Sequence, residues 1–141
     1  MLHLIGSHPK FHERLEQPLT IDYFNKEVSG YLQTLCQTDA LLQKIYAMNQ
    51  ASGRTFSMLY FSDHGLSPRG TRLRHGMSQS SFHVPLVMLA SDLTQRKATT
   101  APKYGIHFMH GFANWLGIKT PMLNNTYSFW SANDLDKREP F

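Results

Sequence analysis

The sequence has little cysteine, and it has no hydrophobic run long enough to cross a membrane. Cys36 is the only cysteine in 141 residues, so an internal disulfide and a zinc site made of cysteine pairs are both excluded. The longest apolar run covers residues 84–90, whereas a membrane-spanning helix needs about 20 residues. The first ten residues also lack the basic start and the long apolar core of a secretory signal.

Acidic residues are also few, since 14 Lys and Arg face 10 Asp and Glu. The basic residues are scattered, apart from a local cluster of Arg69, Arg72 and Arg74. A protein that reads nucleic acid needs basic residues along a whole face, so we expect no nucleic-acid partner. The cluster is better suited to a phosphate or a phosphoester. With 41% hydrophobic residues, the chain has the composition of one globular domain.

The order of apolar segments predicts an α/β fold with a mainly parallel sheet flanked by helices. Strands are predicted over residues 2–5, 55–61 and 84–89, and helices over about 21–49 and 104–116. The first helix carries a predicted buried apolar stripe, and Asp39 interrupts it. Asp39 is interpreted either as facing a polar site or as the cap of a second helical segment. Residues 66–82 are predicted to form an excursion loop.

Two predicted strands end in residues that can carry chemistry. His8 follows the first strand, and Asp63 and His64 follow the second. The carboxyl ends of parallel strands share one edge, so these side chains are expected at the same edge. A carboxylate and an imidazole together favour Zn²⁺ or Mn²⁺ over Ca²⁺. The alternative is a hydrogen-bonded Asp-His pair beside a turn at Gly65.

Further histidines lie close in sequence to this predicted edge. His75 lies on a loop that can fold back over it, and with His8 it suits the binding of a phospho group. Either residue could instead be a surface histidine, and His83 either orients a ligand or caps a strand. The hydroxyl side chains nearby lack the strand-to-helix elbow that exposes an activated nucleophile; these are Ser7, Ser62, Ser67 and Thr71.

Five motifs resemble, in order and spacing, the C-terminal part of the alkaline phosphatase and sulfatase superfamily: LHLIGSH, QTDALL, SMLYFSDHG, RHG and FHVPLVML. The resemblance is strongest over residues 1–92 and points to membrane-anchored phosphoethanolamine transferases of the lipid A type. It implies a partial alkaline-phosphatase-like three-layer sandwich. Residues 1–141 would then form the C-terminal portion of a sulfatase-like catalytic domain, with the half that carries the nucleophile lying upstream and absent.

The resemblance also implies roles for individual residues. Asp63 and His64 would bind zinc, or alternatively manganese, while His8 and His75 would bind the phospho group and take part in catalysis. The activity implied is metal-dependent transfer of phosphoethanolamine from a phospholipid donor to an envelope lipid or glycan acceptor. Membrane attachment would be through an absent N-terminal region, with the catalytic domain on the periplasmic face of the inner membrane. The isolated chain is then expected to be inactive.

The chain departs from the family pattern at three places. Leu66 replaces a Glu after the DHG motif, Pro9-Lys10 replaces Gly-Pro, and an arginine-containing stretch replaces a glycine-rich loop before His75. These changes affect the prediction of the acceptor more than that of the metal, because the positions of the metal ligands are kept. Two alternatives remain: a non-catalytic phosphate or nucleic-acid binding module that uses the arginines, and a sulfatase-like or phosphoglycerol-transferase-like hydrolase.

Overall fold

A computed structural model describes residues 1–75, 78–98 and 100–130 of the chain. They fall into two compact units, which divide between Thr94 and Gln95. The helices are α1 (Lys26–Ala51) and α2 (Phe108–Trp115), and the strands are β1 (Ser57–Phe61), β2 (Ser67–Arg69), β3 (Arg72–Arg74) and β4 (Leu86–Ala90). Short 3₁₀ helices cover Phe11–Arg14, Gln79–Phe82, Gly105–His107 and Asn125–Tyr127. In the described part of the chain, no helix is both long and apolar enough to cross a bilayer.

Helix α1 is one continuous helix. It begins at the N-cap Asn25, whose side chain accepts a hydrogen bond from the Val28 amide at 2.9 Å, as capping asparagines do. The Thr38 hydroxyl donates to the Thr34 carbonyl at 3.1 Å, a bond that Thr can make within an intact helix. Of the two interpretations of Asp39, the break and cap is therefore wrong, and Asp39 is an exposed residue within the helix.

The buried face of α1 is polar rather than apolar. Gln33 accepts a hydrogen bond from the Thr20 amide at 2.7 Å and donates one to the Pro18 carbonyl at 2.8 Å, which binds the preceding segment to the helix. Phe24, in contrast, is 80% exposed. The predicted apolar stripe is thus wrong for the first half of the helix, because hydrogen bonds to irregular backbone take the buried positions: Ser29, Gly30, Gln33 and Thr34.

The two longer strands pair antiparallel, which corrects the prediction of parallel strands. Ser57 lies opposite Ala90, and Phe61 lies opposite Leu86. A parallel pair would need a crossover back to the start of β1, whereas the described residues between β1 and β4 form only the strands β2 and β3 and a short 3₁₀ helix. Residues 2–5 form no strand, and the described residues contain no parallel pair. Helices and small sheets are mixed along the chain, as in the α/β class.

The predicted excursion loop contains a small hairpin. Strands β2 and β3 pair with Ser67 opposite Arg74 and Arg69 opposite Arg72. Gly70 has φ +61 in the two-residue turn, where glycine avoids the strain of a side chain. Helix α1 holds the hairpin, because the Glu27 carboxylate accepts a hydrogen bond from the Leu73 amide at 2.7 Å.

The second unit is built around α2, whose position confirms the predicted helix over 104–116. The helix ends with Gly117 at φ +73, the left-handed conformation expected of a C-terminal glycine. Phe129 packs on the helix at Gly111 and is 5% exposed. An added methyl group at Gly111 would overlap the Phe129 ring, so this close packing requires glycine.

Candidate functional site

The β2–β3 hairpin brings the end of β3 back beside the start of β2, which follows His64 closely in sequence. Strand β2 begins at Ser67, just after His64-Gly65-Leu66, and the register places Arg74 opposite Ser67. His75 therefore emerges beside His64, and their rings stack with centroids 5.0 Å apart and planes 15° apart. Hairpin register, rather than a loop closing over a parallel sheet, explains this pairing.

His8 reaches the same place from the N-terminal segment. Its ring centroid lies 6.3 Å from that of His75. The segment is fixed to α1 because Phe11 is 2% exposed and packs edge-on against Tyr31, with centroids 5.4 Å apart. Burial raises the pKa of the Tyr31 phenol, and the nearby Tyr60 phenol raises it further, so Tyr31 remains a neutral packing residue.

His64 is held in one orientation by the backbone next to it. Its Nδ1 lies 3.1 Å from the Gly65 carbonyl oxygen, which can only accept, so Nδ1 carries the proton. Its Nε2 then faces the Asp63 Oδ2 at 3.7 Å. An imidazole lone pair opposite a carboxylate oxygen is a favourable arrangement only with a cation or a proton between them. Metal-binding histidines typically donate their other ring N–H in this way.

Gly65 allows two backbones to come close together. Its amide donates to the Ser81 carbonyl at 2.5 Å, and a side chain on Gly65 would lie 3.3 Å from that oxygen. Ser81 is 1% exposed, so the contact anchors the Asp63-His64 turn to a buried residue. Gly65 does not have a positive φ, so the close approach to Ser81 is the reason for a glycine in this turn.

The donors present suit a metal ion but do not complete its shell. Two ligands on one tetrahedral Zn²⁺ lie about 3.3 Å apart when each bond is about 2 Å, and the 3.7 Å between His64 Nε2 and Asp63 Oδ2 is close to this. The Asp63 side chain is 85% exposed, so a cation can reach it. Among the described residues, however, no group of three or more His, Cys, Asp or Glu side chains could hold a metal ion.

Two of the hydroxyl groups near the site are engaged in hydrogen bonds. Ser62 Oγ donates to the His64 carbonyl at 2.8 Å, and Ser67 Oγ lies 2.6 Å from Ser78 Oγ. Ser7 Oγ is buried, with no hydrogen-bond partner in the described residues. None of the three is paired with a histidine base, as an activated nucleophile would be. Gly76 of the RHG motif lies outside the described residues.

Comparisons with known proteins agree with the class of protein that these motifs indicate. The sulfatase family model matches residues 1–118. The chain belongs to this family, which confirms the resemblance to the alkaline phosphatase and sulfatase superfamily. The match also runs beyond residue 92, where the motifs in the sequence end. No solved structure matches the chain with statistical significance.

Two curated relatives are similar in sequence to this chain. The phosphoethanolamine transferase OpgE of Escherichia coli (strain K12) is 37% identical over an alignment of 137 residues, which covers 93% of this chain and 26% of that protein. A protein of Haemophilus influenzae with the provisional name phosphoethanolamine transferase is 38% identical over an alignment of 78 residues, which covers 47% of this chain and 16% of that protein. The chain therefore spans about a quarter or less of the length of each.

Proposed function

We propose that this chain provides the metal-binding and phosphate-binding part of an active site that transfers phosphoethanolamine. One observation carries the proposal: the His75 ring lies near both His8 and His64, which come from other segments, and His64 faces the Asp63 carboxylate. The names of the two relatives support phosphoethanolamine as the transferred group. A cluster of imidazoles with one carboxylate suits a reaction in which negative charge develops on phosphoryl oxygens.

Asp63 and His64 are proposed as two ligands of a zinc ion, with manganese as the alternative. The Nδ1 bond to the Gly65 carbonyl leaves Nε2 free for the metal. A bound Zn²⁺ would polarise the phosphoryl oxygens and neutralise part of their charge. The remaining ligands and the nucleophile are proposed to come from other parts of the complete natural protein.

His8 and His75 are proposed to act on the phospho group itself. Both are exposed, and their rings are 6.3 Å apart, so a phosphoryl group can reach them from solvent. A protonated imidazole can hold a phosphoryl oxygen or give a proton to the leaving group. His64 is half-buried and bound to the backbone, so it is better suited to a fixed metal ligand.

The donor, the acceptor and the location are proposals for the complete natural protein. We propose a phospholipid donor, an envelope lipid or glycan acceptor, and a catalytic domain on the periplasmic face of the inner membrane. A larger three-layer sandwich around this chain is also proposed. Apolar side chains of the two-stranded β1–β4 sheet support it, since Phe61 is 43% and Val87 40% exposed, more than expected for strands this apolar.

The proposal is tested by measuring transfer of the labelled headgroup from phosphatidylethanolamine by the complete natural protein. Asp63→Asn removes the negative charge at the metal site but keeps the shape of the side chain. We expect transfer to fall by about 100-fold or more, because ligand loss should cost at least as much as loss of a residue that supports a ligand. Asp92→Asn, an exposed carboxylate elsewhere in the same unit, is the matched control.

Three results decide the proposal. Loss with Asp63→Asn but not with Asp92→Asn, together with loss on chelation and recovery on adding zinc, supports it. Full transfer by the Asp63→Asn protein contradicts it. Release of free phosphoethanolamine, with no labelled acceptor formed, would favour the hydrolase alternative instead.

A further inference from the structure

A cleft of about 320 Å³ opens in the first unit beside His75. Lys10 and His12 line it from the N-terminal turn, Glu27 from α1, and Arg72 and Arg74 from β3. Its volume is at the lower end of the range for small-molecule sites. His75 lines this cleft and also contacts the rings of His8 and His64, so a group bound in the cleft would lie next to the candidate active site.

The cleft has more positive than negative charge. Arg72 and Arg74 are alternate residues of a strand, so their side chains leave β3 on the same side. The facing carboxylate is Glu27, which accepts a hydrogen bond from the Leu73 amide. Within the described residues, neither arginine forms an ion pair. Lys10 is paired with Glu13 at 3.6 Å, so Arg72 and Arg74 provide the positive charge that the cleft holds beside Glu27.

We propose that this cleft binds a phosphate-class oxyanion of the substrate, distinct from the group transferred at His8 and His75. Two guanidinium groups on one side of a strand can each make paired hydrogen bonds to a tetrahedral oxyanion. The anion belongs either to the donor lipid or to a phosphate-bearing acceptor. Its placement beside a transfer reaction rests on the proposed function, whereas binding of the anion itself does not.

The first test measures binding of inorganic phosphate and diphosphate to the full chain by calorimetry. Arg72→Ala and Arg74→Ala should each weaken binding about tenfold, the usual scale for a lost charge-assisted hydrogen bond. Arg69→Ala is the matched control, because Arg69 pairs with Arg72 in the same hairpin but does not line the cleft. It should change binding by less than about twofold, since it removes an exposed, solvent-screened charge outside the lining rather than a contact with the anion.

Conservative variants separate a loss of contacts from a loss of fold. Arg72→Lys and Arg74→Lys keep the charge but not the paired geometry, so they should give intermediate affinities while the circular dichroism spectrum stays unchanged. Unchanged phosphate affinity in both alanine variants would overturn the proposal. So would affinity that depends on zinc and on Asp63 but not on the arginines, because the anion would then bind at the metal site.

Turnover in the complete natural protein then identifies the source of the anion. A higher KM for the acceptor in the arginine variants assigns it to the acceptor, and a higher KM for the lipid assigns it to the donor. Either result supports a substrate site, and an unchanged KM for both would overturn it. If the complete protein transfers no phosphoethanolamine while phosphate binding still depends on the arginines, the proposed function fails and the anion site stands.

Discussion

Each unit of the chain holds a cluster of imidazole rings, and the two clusters are built differently. In the first unit, His64 stacks on His75 and faces the Asp63 carboxylate at 3.7 Å. In the second, His107 stacks on the phenol ring of Tyr127, with centroids 3.7 Å apart. Residues 95–130 contain no Asp or Glu, so the second cluster has no carboxylate within that stretch.

The difference shows that the surroundings of a histidine indicate whether its ring is available for a reaction or is used in packing. His110 Nδ1 accepts a hydrogen bond from the Asn124 amide at 3.2 Å, and its ring contacts Tyr127. These contacts fasten the 3₁₀ helix Asn125–Tyr127 to α2. The first cluster instead leaves His8 and His75 exposed beside a basic cleft. We therefore expect substitutions in the first cluster to affect catalysis and substitutions in the second to affect stability.

The largest expected effect is on turnover. His8→Ala and His75→Ala should each lower transfer by the complete natural protein by about 10² to 10⁴, the scale of a positioned acid or base. The metal content should stay unchanged, because neither residue is a proposed ligand. His75→Phe is a sharper variant, since it keeps a ring to stack on His64 but cannot hold a proton. His110→Ala, from the second cluster, should keep transfer within about threefold.

Transfer at the wild-type rate in the His8→Ala and His75→Ala proteins would contradict this division of roles. So would loss of the metal from both, since they would then be ligands. Elemental analysis of the same preparations separates the two failures.

The second expected effect is on metal affinity. His64→Ala should weaken zinc binding by the complete protein by about 100-fold or more, because it removes a ligand rather than a supporting residue. Competition with a chelator of known affinity measures the change. His107→Ala is the control from the other cluster, and it should leave the affinity within about twofold. Equal zinc affinity in the His64→Ala and wild-type proteins would exclude His64 as a ligand.

The sequence predicts that the histidines of the candidate site lie close together, although the parallel sheet on which that prediction rests is wrong. The sequence predicts that His8 and His64 meet because parallel strands end at a common edge, and that His75 joins them on a loop that folds back. They do meet, but through the hairpin register of Ser67 opposite Arg74 and through packing of Phe11 on α1. The signal for the hairpin was present in Arg69-Gly70-Thr71-Arg72, since a glycine in a short polar turn between alternating residues is typical of one.

Tertiary contacts determine two features that the hydrophobic pattern of the sequence cannot show: the buried face of α1 and the lining of the cleft. Helix α1 was expected to bury an apolar stripe, yet Gln33 and Ser29 are buried because they bind irregular backbone before the helix. Periodicity cannot show which polar side chains will find such partners. The roles of Glu27 and Lys10 in the basic cleft were missed for the same reason, since each is an ordinary charged residue until the hairpin packs beside it.

The third expected effect is on the stability of the second unit alone. Gly111→Ala places a methyl group against the Phe129 ring, and even Cζ of that ring would be only 2.8 Å away. Overpacking costs about 1–3 kcal/mol, and alanine returns about 1 kcal/mol of helix propensity. We expect a net loss of up to about 2 kcal/mol. Trp115 and Trp130 are the only tryptophans and both lie in this unit, so their fluorescence follows its unfolding.

Gly105→Ala is the matched control, because a methyl group there would have no neighbour within 4 Å. It should be neutral or slightly stabilising, since alanine restricts the unfolded chain. If Gly111→Ala is as stable as Gly105→Ala, the close packing of Phe129 on α2 is contradicted.

The smallest expected effect tests the second cluster directly. His107→Ala removes the ring stacked on Tyr127 and should lower the stability of the second unit by about 1 kcal/mol, the usual value of an aromatic pair. His107→Phe restores an aromatic ring without a titratable group, so it should recover most of that loss. Denaturant unfolding followed by tryptophan fluorescence measures both, and both should transfer phosphoethanolamine at close to the wild-type rate. A His107→Phe protein that is stable but slow in transfer would show that the second cluster also does chemistry, because only the proton-carrying nitrogens have been lost.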